Sequence, residues 1–481
     1  MMDPASQVPQ GVDPIPNSPC VDAQRLLCSA ALSDTIPKVL DDIEMMDPAP
    51  IPEQADTIQG TAFVDAKRLR CSATSAGAVS KRRLDDDNIS SSQGLVHPLD
   101  NDCLLEEILL RLPPKPSSLP LASLVCTSWR NILSNPKFRK RFRKHHRKPP
   151  LLGFFVAYTD TKHNFVPVLD TKPDRISAAR FSVPRSRSNH HWDFLGCRHG
   201  LAVLLIKWQC ETVIWDPLTG QQHRVPFPPG LQNTATDTFW GWHAAVVCVD
   251  AEDGHVHGDC FSSPFKLVLM CGGDTQASAC LYESVSSTWG NIVSMPTTDE
   301  ILRIRPRVLI GNALCWLLYG GGVLAFDIER QSLDVIEKPA DAHATDDYSF
   351  QLLRTNDSCL GFAVMSELGI QLWKRSSNSD GVIRWVLQPE VIQLEGFFPQ
   401  SMHSDYKEAD MVGYDEESNA IVLATYIGDF MLQLESMGFI RISKRNCWSS
   451  KVHYPYRNFY TTGRGVGCKW VDQKLRASEI Y

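Results

Sequence analysis

From residue 150 onward the chain is a succession of short apolar runs cut by turn residues, and this limits the fold more than any other feature. Leu151–Tyr158, Leu201–Ile206, Thr212–Trp215, Ala244–Val249, Phe265–Met270, Val308–Leu318, Leu360–Met365, Ile370–Trp373, Ile421–Tyr426 and Met431–Leu434 are rich in β-branched and aromatic residues. Few windows between them could hold a long helix. The pattern predicts an all-β domain of about 320 residues. A loose repeat runs through it. A glycine opens an apolar strand, a turn follows, and a second strand ends in an aromatic residue, often with an acid behind it. Gly200-Leu201-Ala202-Val203 leads to Trp215-Asp216, Gly311 through Trp316 to Phe326-Asp327, and Gly361-Phe362-Ala363-Val364 to Trp373. Tyr282 holds the same place in an intervening unit. The steps from Tyr282 to Phe326 to Trp373 fall in the range of about 40–50 residues expected of propeller blades. A meander of that size cannot bury both faces alone, so the units must stack on one another. Six or seven blades are expected, with an irregular sandwich as the alternative.

Ahead of this domain, Pro98 to Phe142 reads as three or four short amphipathic helices separated by prolines. Leu104, Leu105, Ile108, Leu109 and Leu112 fall on one helical stripe. Asp100 or Asp102 can cap its start, Glu106 and Glu107 suit its early turns, and Pro113 and Pro114 stop it. Leu121, Leu124, Val125, Trp129, Ile132 and Leu133 form a second periodic run, with Ser117 or Ser118 as its cap. Asn135-Pro136 resets the chain, and Phe138 and Phe142 line one face of a last helix. A unit of roughly 45 residues buries too little apolar surface to be very stable alone. Part of its stripe should be left for a partner.

The remaining composition sets bounds. The chain has 481 residues, 43% of them hydrophobic, a net charge of −7 and fifteen cysteines. The negative balance argues against wholesale nucleic-acid binding. The cysteines are scattered with no Cys-x-x-Cys, and the start of the chain is acidic and proline-rich without an apolar signal core. Reduced thiols in the cytoplasm or nucleus are expected. No apolar run reaches the ~18–20 residues that span a bilayer. Residues 1–96 read as a disordered tail carrying most of the acidic excess, with an internal duplication: Met1-Met2-Asp3-Pro4-Ala5 recurs at Met45 to Ala49, and Val21 to Ala30 recurs at Val64 to Ala73. Between Pro113 and Pro150 there is no acid, and Arg139 to Lys148 is densely basic. This is either an import or phosphate-contacting segment or, the favoured reading, a solvated helix face with Phe138 and Phe142 turned inward. Lys81-Arg82-Arg83 is a weaker import candidate.

The helical stretch resembles the F-box, the module that docks a protein onto the Skp-type adaptor of a cullin-based SCF ubiquitin ligase. Leu105-Glu106-Glu107-Ile108-Leu109-Leu110-Arg111-Leu112-Pro113 and Val125-Cys126-Thr127-Ser128-Trp129-Arg130 follow the family pattern, and Phe138 fits its closing Pro-x-Phe. The family's opening Leu-Pro is reversed here, as Pro98-Leu99. The resemblance implies adaptor contacts at Leu104, Leu105, Ile108, Leu109, Leu112, Pro113, Leu124, Val125 and Trp129, some of which must instead hold the module's own core. The β-domain resembles the kelch-like propellers that follow F-boxes in many plant proteins. Gly272-Gly273, Tyr282 and Trp289 form one kelch imprint. Cys197-Arg198-His199-Gly200-Leu201, Trp215-Asp216-Pro217 and Arg224-Val225-Pro226 resemble the F-box-associated domains of grass proteins.

The expected organisation is therefore multidomain α+β: a disordered tail over 1–96, an all-α F-box over 97–146, and an all-β, propeller-like domain over 150–481. The resemblance implies a non-catalytic substrate receptor. Its partners would be a Skp-type adaptor, a cullin reached through it, and an unidentified protein target. No cofactor, membrane or nucleic acid is expected. Two rivals stand beside it: a propeller-type enzyme with a helical extension, and a nuclear regulator using residues 139–148.

Motifs that could carry chemistry are few. His255-Val256-His257-Gly258-Asp259-Cys260 is the one dense group of potential metal ligands, but a closed zinc site needs a further ligand from elsewhere. It reads as a surface loop between strands, so no metal site is expected. His190-His191-Trp192-Asp193 reads as a polar turn. Gly463-Arg464-Gly465-Val466-Gly467 lacks a following helix to receive a phosphate. No nucleophile elbow, phosphate loop or dinucleotide fingerprint is present. Phe239-Trp240-Gly241-Trp242 is either a contact loop or a buried blade edge.

Overall fold

Four helices form in the proline-punctuated stretch. α1 (Asp102–Leu110) is capped by neither expected aspartate. Asn101 does it: its Oδ1 accepts from the Cys103 and Leu104 N–H groups at 3.0 and 3.3 Å. α2 (Ser118–Ala122) and α3 (Thr127–Ser134) divide what reads as one periodic run, with Cys126 extended between them. Ser117 precedes α2 without capping it, because its hydroxyl donates instead to Asp174 Oδ1 at 2.5 Å. α4 (Pro136–His146) starts as expected, with proline in its first turn and the Asn135 side chain accepting from Lys137 N–H. Leu105, Leu109, Leu110, Leu119, Ala122, Leu133, Phe138 and Phe142 form the core of this module.

The structure, a computed structural model, describes residues 101–460, apart from 159–162, 185–191, 207–208, 233–240, 250–255, 259, 274, 304, 345, 367–368, 378–379, 399–408 and 444–450. The duplicated tail, Pro98-Leu99, Lys81 to Arg83, His190-His191, Phe239-Trp240 and the glycine run at Gly463 lie outside the described residues.

The β-domain is built of antiparallel meanders in chain order. β1 (Leu151–Tyr158) and β2 (His163–Pro167) come first, then β3 (Asp193–Arg198), β4 (Leu201–Ile206), β5 (Glu211–Trp215) and β6 (Gln222–Pro226). β7 (Trp242–Cys248), β8 (Phe265–Gly272), β9 (Gln276–Glu283), β10 (Thr288–Trp289) and β11 (Val293–Pro296) form the next sheet. β12 (Val308–Ile310), β13 (Ala313–Leu317), β14 (Val323–Asp327) and β15 (Ser332–Ile336) follow, then β16 (Phe350–Arg354), β17 (Leu360–Ser366), β18 (Gly369–Ser377) and β19 (Ile383–Gln393). The last meander is β20 (Ala409–Asp415), β21 (Ala420–Thr425), β22 (Gly428–Gln433) and β23 (Phe439–Ser443). β24 (Lys451–Arg457) then returns to pair with β1, so the end of the domain is stitched to its beginning. A parallel bridge from Gly413 to His453 also ties β20 to β24.

Neighbouring meanders pack face to face in a cyclic order. Phe155, Phe194 and Trp215 join the β1–β24 unit to the β3–β6 sheet. Val203, Leu205, Val246 and Leu267 join that sheet to the next. Val268, Met270, Leu314 and Trp316 make the third interface. Val308, Leu352, Phe362, Met411 and Leu423 link the following meanders, and Phe154, Val156, Val412 and Val422 return to the first. The all-β domain is thus propeller-like, with six meanders among the described residues. Alternation explains the unbroken apolar runs. In β4, Leu201, Val203 and Leu205 face one neighbour, and Ala202, Leu204 and Ile206 face the other.

The aromatic-plus-acid repeat also has a local cause. Trp215 and Phe326 are buried, while the acid behind each closes the turn. Asp216 accepts from Leu218 N–H and the Thr219 hydroxyl, and Asp327 accepts from Glu329 and Arg330 N–H. Tyr414-Asp415 does the same at the end of β20, with Asp415 accepting from Glu417 N–H.

Candidate functional site

The helical module presents one surface and the β-domain another. Of the nine side chains expected at an adaptor interface, Leu105 and Leu109 are sealed in the module's own core, at 1% and 0% exposure. These two serve the fold. Leu112 and Trp129 are half-buried beside that core. Leu104, Ile108, Leu124 and Val125 are 50, 43, 51 and 61% exposed, and Pro113 is exposed with them. Leu121, 52% exposed, belongs to the same set although the family pattern does not point to it. The stripe of α1 therefore divides lengthwise: i and i+4 (Leu104, Ile108) face solvent, and the adjacent pair (Leu105, Leu109) faces the core.

The core side is completed from far along the chain. Phe459, just after β24, packs edge-on against Phe142 with ring centroids 6.2 Å apart, and Val256 lies beside it. Asp174 accepts from Ser117 and lies 3.8 Å from the Lys115 ammonium. The basic helix α4 turns Phe138 and Phe142 inward, as expected of a solvated face. Its Arg141 pairs with Glu106 and Glu107 of α1, and its His146 ring meets the Leu110 carbonyl at 3.0 Å.

Two cavities lie among the first strands of the meanders. One is lined by Cys197 to Gly200, His257, Asp415 to Glu417 and Arg457. Its charges are matched: Arg198 forks onto Glu416 with two bonds of 2.5 Å, and Arg457 binds Asp415. The other holds about 40 Å³ of water-accessible space, enough for more than one water. It is lined by His243, Arg303, Arg305, Arg307 and Asp193 among others. Arg303 pairs with Asp193 at 3.3 Å. Arg305 donates to the Phe350 carbonyl at 2.9 Å, and Arg307 to the Leu195 carbonyl across Gly196, where any side chain would strike its guanidinium. Burial draws both guanidinium groups down to about 10. Burial, then the charges of Arg307 and Arg303, draws His243 down to about 3. Its Nε2 has no hydrogen-bond partner among the described residues. Each of the three arginines is thus already engaged, by Asp193 or by backbone carbonyls.

The loop bearing His257 and Cys260 has company that its own spacing does not reveal. His199, from the turn between β3 and β4, and Cys248, the last residue of β7, stand with His257 so that one ligand atom from each lies within 4.8 Å of the others. Cys260 Sγ is 3.6 Å from His257 Nδ1. A hydrogen bond to the Cys248 side chain, the largest influence, brings the Cys260 thiol down to about 4. His255 and Asp259 lie outside the described residues. The one signal in the sequence is that Cys248 and Cys260 flank the same connection; only the fold places His199.

The helical module thus has a buried core and a solvent-facing leucine edge, with the β-domain joined behind it. Residues 98–141 match the family model described as F-box domain. Domains of this family bind Skp-type adaptors in SCF complexes, and proteins that carry them are in general non-catalytic substrate receptors. No curated protein matches the chain. Among solved structures, it is similar to a quinonprotein alcohol dehydrogenase-like protein from Bacteroides thetaiotaomicron, with 9% identity, TM-score 0.34, and coverage of 63% of this chain and 77% of that one. It is also similar to a protein of unknown function from the same organism, with 12% identity, TM-score 0.30, and coverage of 55% and 62%. Overlap this slight carries no functional weight.

Proposed function

We propose that this chain is the substrate-recognition subunit of an SCF-type E3 ubiquitin ligase. The observation that carries the reading is the exposure of Leu104, Ile108, Leu121, Leu124 and Val125 within the matched F-box, beside a fully formed core. Large apolar side chains grouped this way are suited to burial by a partner. The adaptor contacts are then Leu104, Ile108, Pro113, Leu124 and Val125, with Leu112 and Trp129 at the margin. The adaptor binds the cullin, and the β-domain holds the target. The chain contributes proximity: it raises the local concentration of target lysines near the ubiquitin thioester.

The β-domain reads as kelch-like and of the plant F-box-associated type, on Gly272-Gly273 and on Tyr282 and Trp289, whose rings meet 5.3 Å apart. Such a receptor works in the cytoplasm or nucleus. Among the described residues no helix is long and apolar enough to cross a membrane. Nucleic-acid binding by the basic helix is disfavoured, since Arg141 is engaged with Glu106 and Glu107.

The test is co-expression of the full chain with a Skp-type adaptor. Co-purification is expected, and its loss in Ile108→Asp/Leu124→Asp with unchanged circular dichroism. An unmodified chain that folds but leaves the adaptor unbound would remove the proposal.

A further inference from the structure

Four side chains outside the helical module gather where the β-domain meets it. Cys248 ends β7, and Cys260 opens the short turn Cys260–Ser262 ahead of β8. His257 stands in the connection between them, and His199 comes from the neighbouring meander. Both sulfurs are buried, at 9% and 2% exposure, and both imidazoles are half-buried.

We propose that His199, Cys248, His257 and Cys260 form a Cys₂His₂ site for one zinc ion. Tetrahedral zinc, with bonds of about 2.3 Å to sulfur and 2.0–2.1 Å to nitrogen, sets its donor atoms roughly 3.3–3.8 Å apart. The Cys260–His257 separation of 3.6 Å already meets that spacing. The His199, Cys248 and His257 donors, within 4.8 Å, need about an ångström of closure. Thiolate and imidazole donors in a four-membered set select zinc over magnesium or calcium, which take oxygen.

The two imidazole rings lie against each other. Those of His199 and His257 stack with centroids 3.5 Å apart and planes 3° from parallel. Aromatic pairs ordinarily prefer offset or edge-on arrangements at about 4.5–7 Å. Because each nitrogen's lone pair lies in its ring plane, the two rings must turn out of this stack to bind one ion together.

The consequence is mechanical. Gly258, at φ 125°, is seated where a Cβ would lie 2.7 Å from the Phe459 ring. Phe459 and Val256 both pack with the module's core. Zinc would therefore fasten the β7–β8 connection to the β3–β4 turn, directly under the side chain that joins the F-box to the β-domain. It would fix the angle between the end that docks and the end that binds the target.

The measurement uses the purified full chain under reducing conditions, without adaptor, so it stands apart from the receptor reading. Mass-spectrometric metal analysis after dialysis should find about one zinc per chain. Cobalt(II) in its place should show a sulfur-to-cobalt charge-transfer band and the intense visible bands of a tetrahedral site. Cys248→Ser/Cys260→Ser should lose both signals, whereas Cys103→Ser/Cys126→Ser, at exposed thiols, should keep them. Chelation should speed proteolytic cleavage within the β7–β8 connection. Because metal content and the cobalt spectrum are read on the unmodified chain, misfolding of the double variant does not blunt the test. An unmodified chain that retains no zinc, gives an octahedral cobalt spectrum, or carries a Cys248–Cys260 disulfide when freshly prepared overturns the site. Cleavage indifferent to chelation overturns its fastening role.

Discussion

The F-box and the β-domain treat their apolar residues in opposite ways. Every residue of β4 is buried, because each face of the strand meets a neighbouring sheet. α1 buries Leu105, Leu109 and Leu110 and leaves Leu104 and Ile108 in solvent. A strand between two packed sheets has no free side, while a helix has more circumference than α3, α4 and Phe459 can cover. The uncovered arc is the surface proposed here for docking, whereas the sheets of the β-domain leave no such arc on their packed faces.

The contrast breaks most sharply at its core. Leu105→Ala/Leu109→Ala should cost about 2–5 kcal/mol per residue. Hydrogen exchange over residues 102–146 should then rise to near-unprotected rates while β-domain amides stay protected. Loss of protection throughout would mean that the two halves fold as one unit. The opposite substitution, Ile108→Ala/Leu124→Ala, should leave the thermal midpoint nearly unchanged and weaken adaptor binding by about 30- to 1,000-fold, equivalent to 2–4 kcal/mol. Isothermal titration separates the two variants, and unchanged affinity would move the interface elsewhere.

The β-domain should show its own signature in acid. Burial holds His243 at about 3 and His453 below its ordinary value, so both are neutral when folded and take a proton when unfolded. Stability is then full above pH ~6.5 and falls as pH drops toward the folded value of His243, by about 1.4 kcal/mol per unit for that ring, with His453 acting in the same direction. Asp429, held low by His453 and Lys451 against its burial, adds a further loss as pH falls through its depressed value. Urea titrations of the unmodified chain and His243→Gln read this slope, and identical slopes would deny His243 its share. The smallest effect is expected at Arg141→Ala, where partly exposed pairs with Glu106 and Glu107 should contribute about 1 kcal/mol or less and fade with salt. A larger, salt-insensitive loss would show that α4 is held to α1 by that pair more than by Phe138 and Phe142.

Much of this was legible in the order of residues. All ten apolar runs fall on strands to within a residue or two, nine of them on a single strand, because local alternation and turn chemistry act over a few residues. Val308–Leu318 is two strands around Gly311, at φ 55°, and not one. Outer strands such as β6 and β19 leave no such mark, because one side meets water and their pattern is mostly polar or irregular. The docking stripe was visible as a stripe, but its division was not.

By itself, then, the sequence determined what depends on near neighbours: helix starts and stops at Asn135 and the prolines, strands of period two, and turns closed by Asp216 and Asp327. The tertiary structure decided what depends on distant ones. Phe459 chose which leucines of α1 are core, and His199 came to stand beside His257. Contacts formed across tens to hundreds of residues leave no spacing to read, since only the folded backbone sets the distance between them.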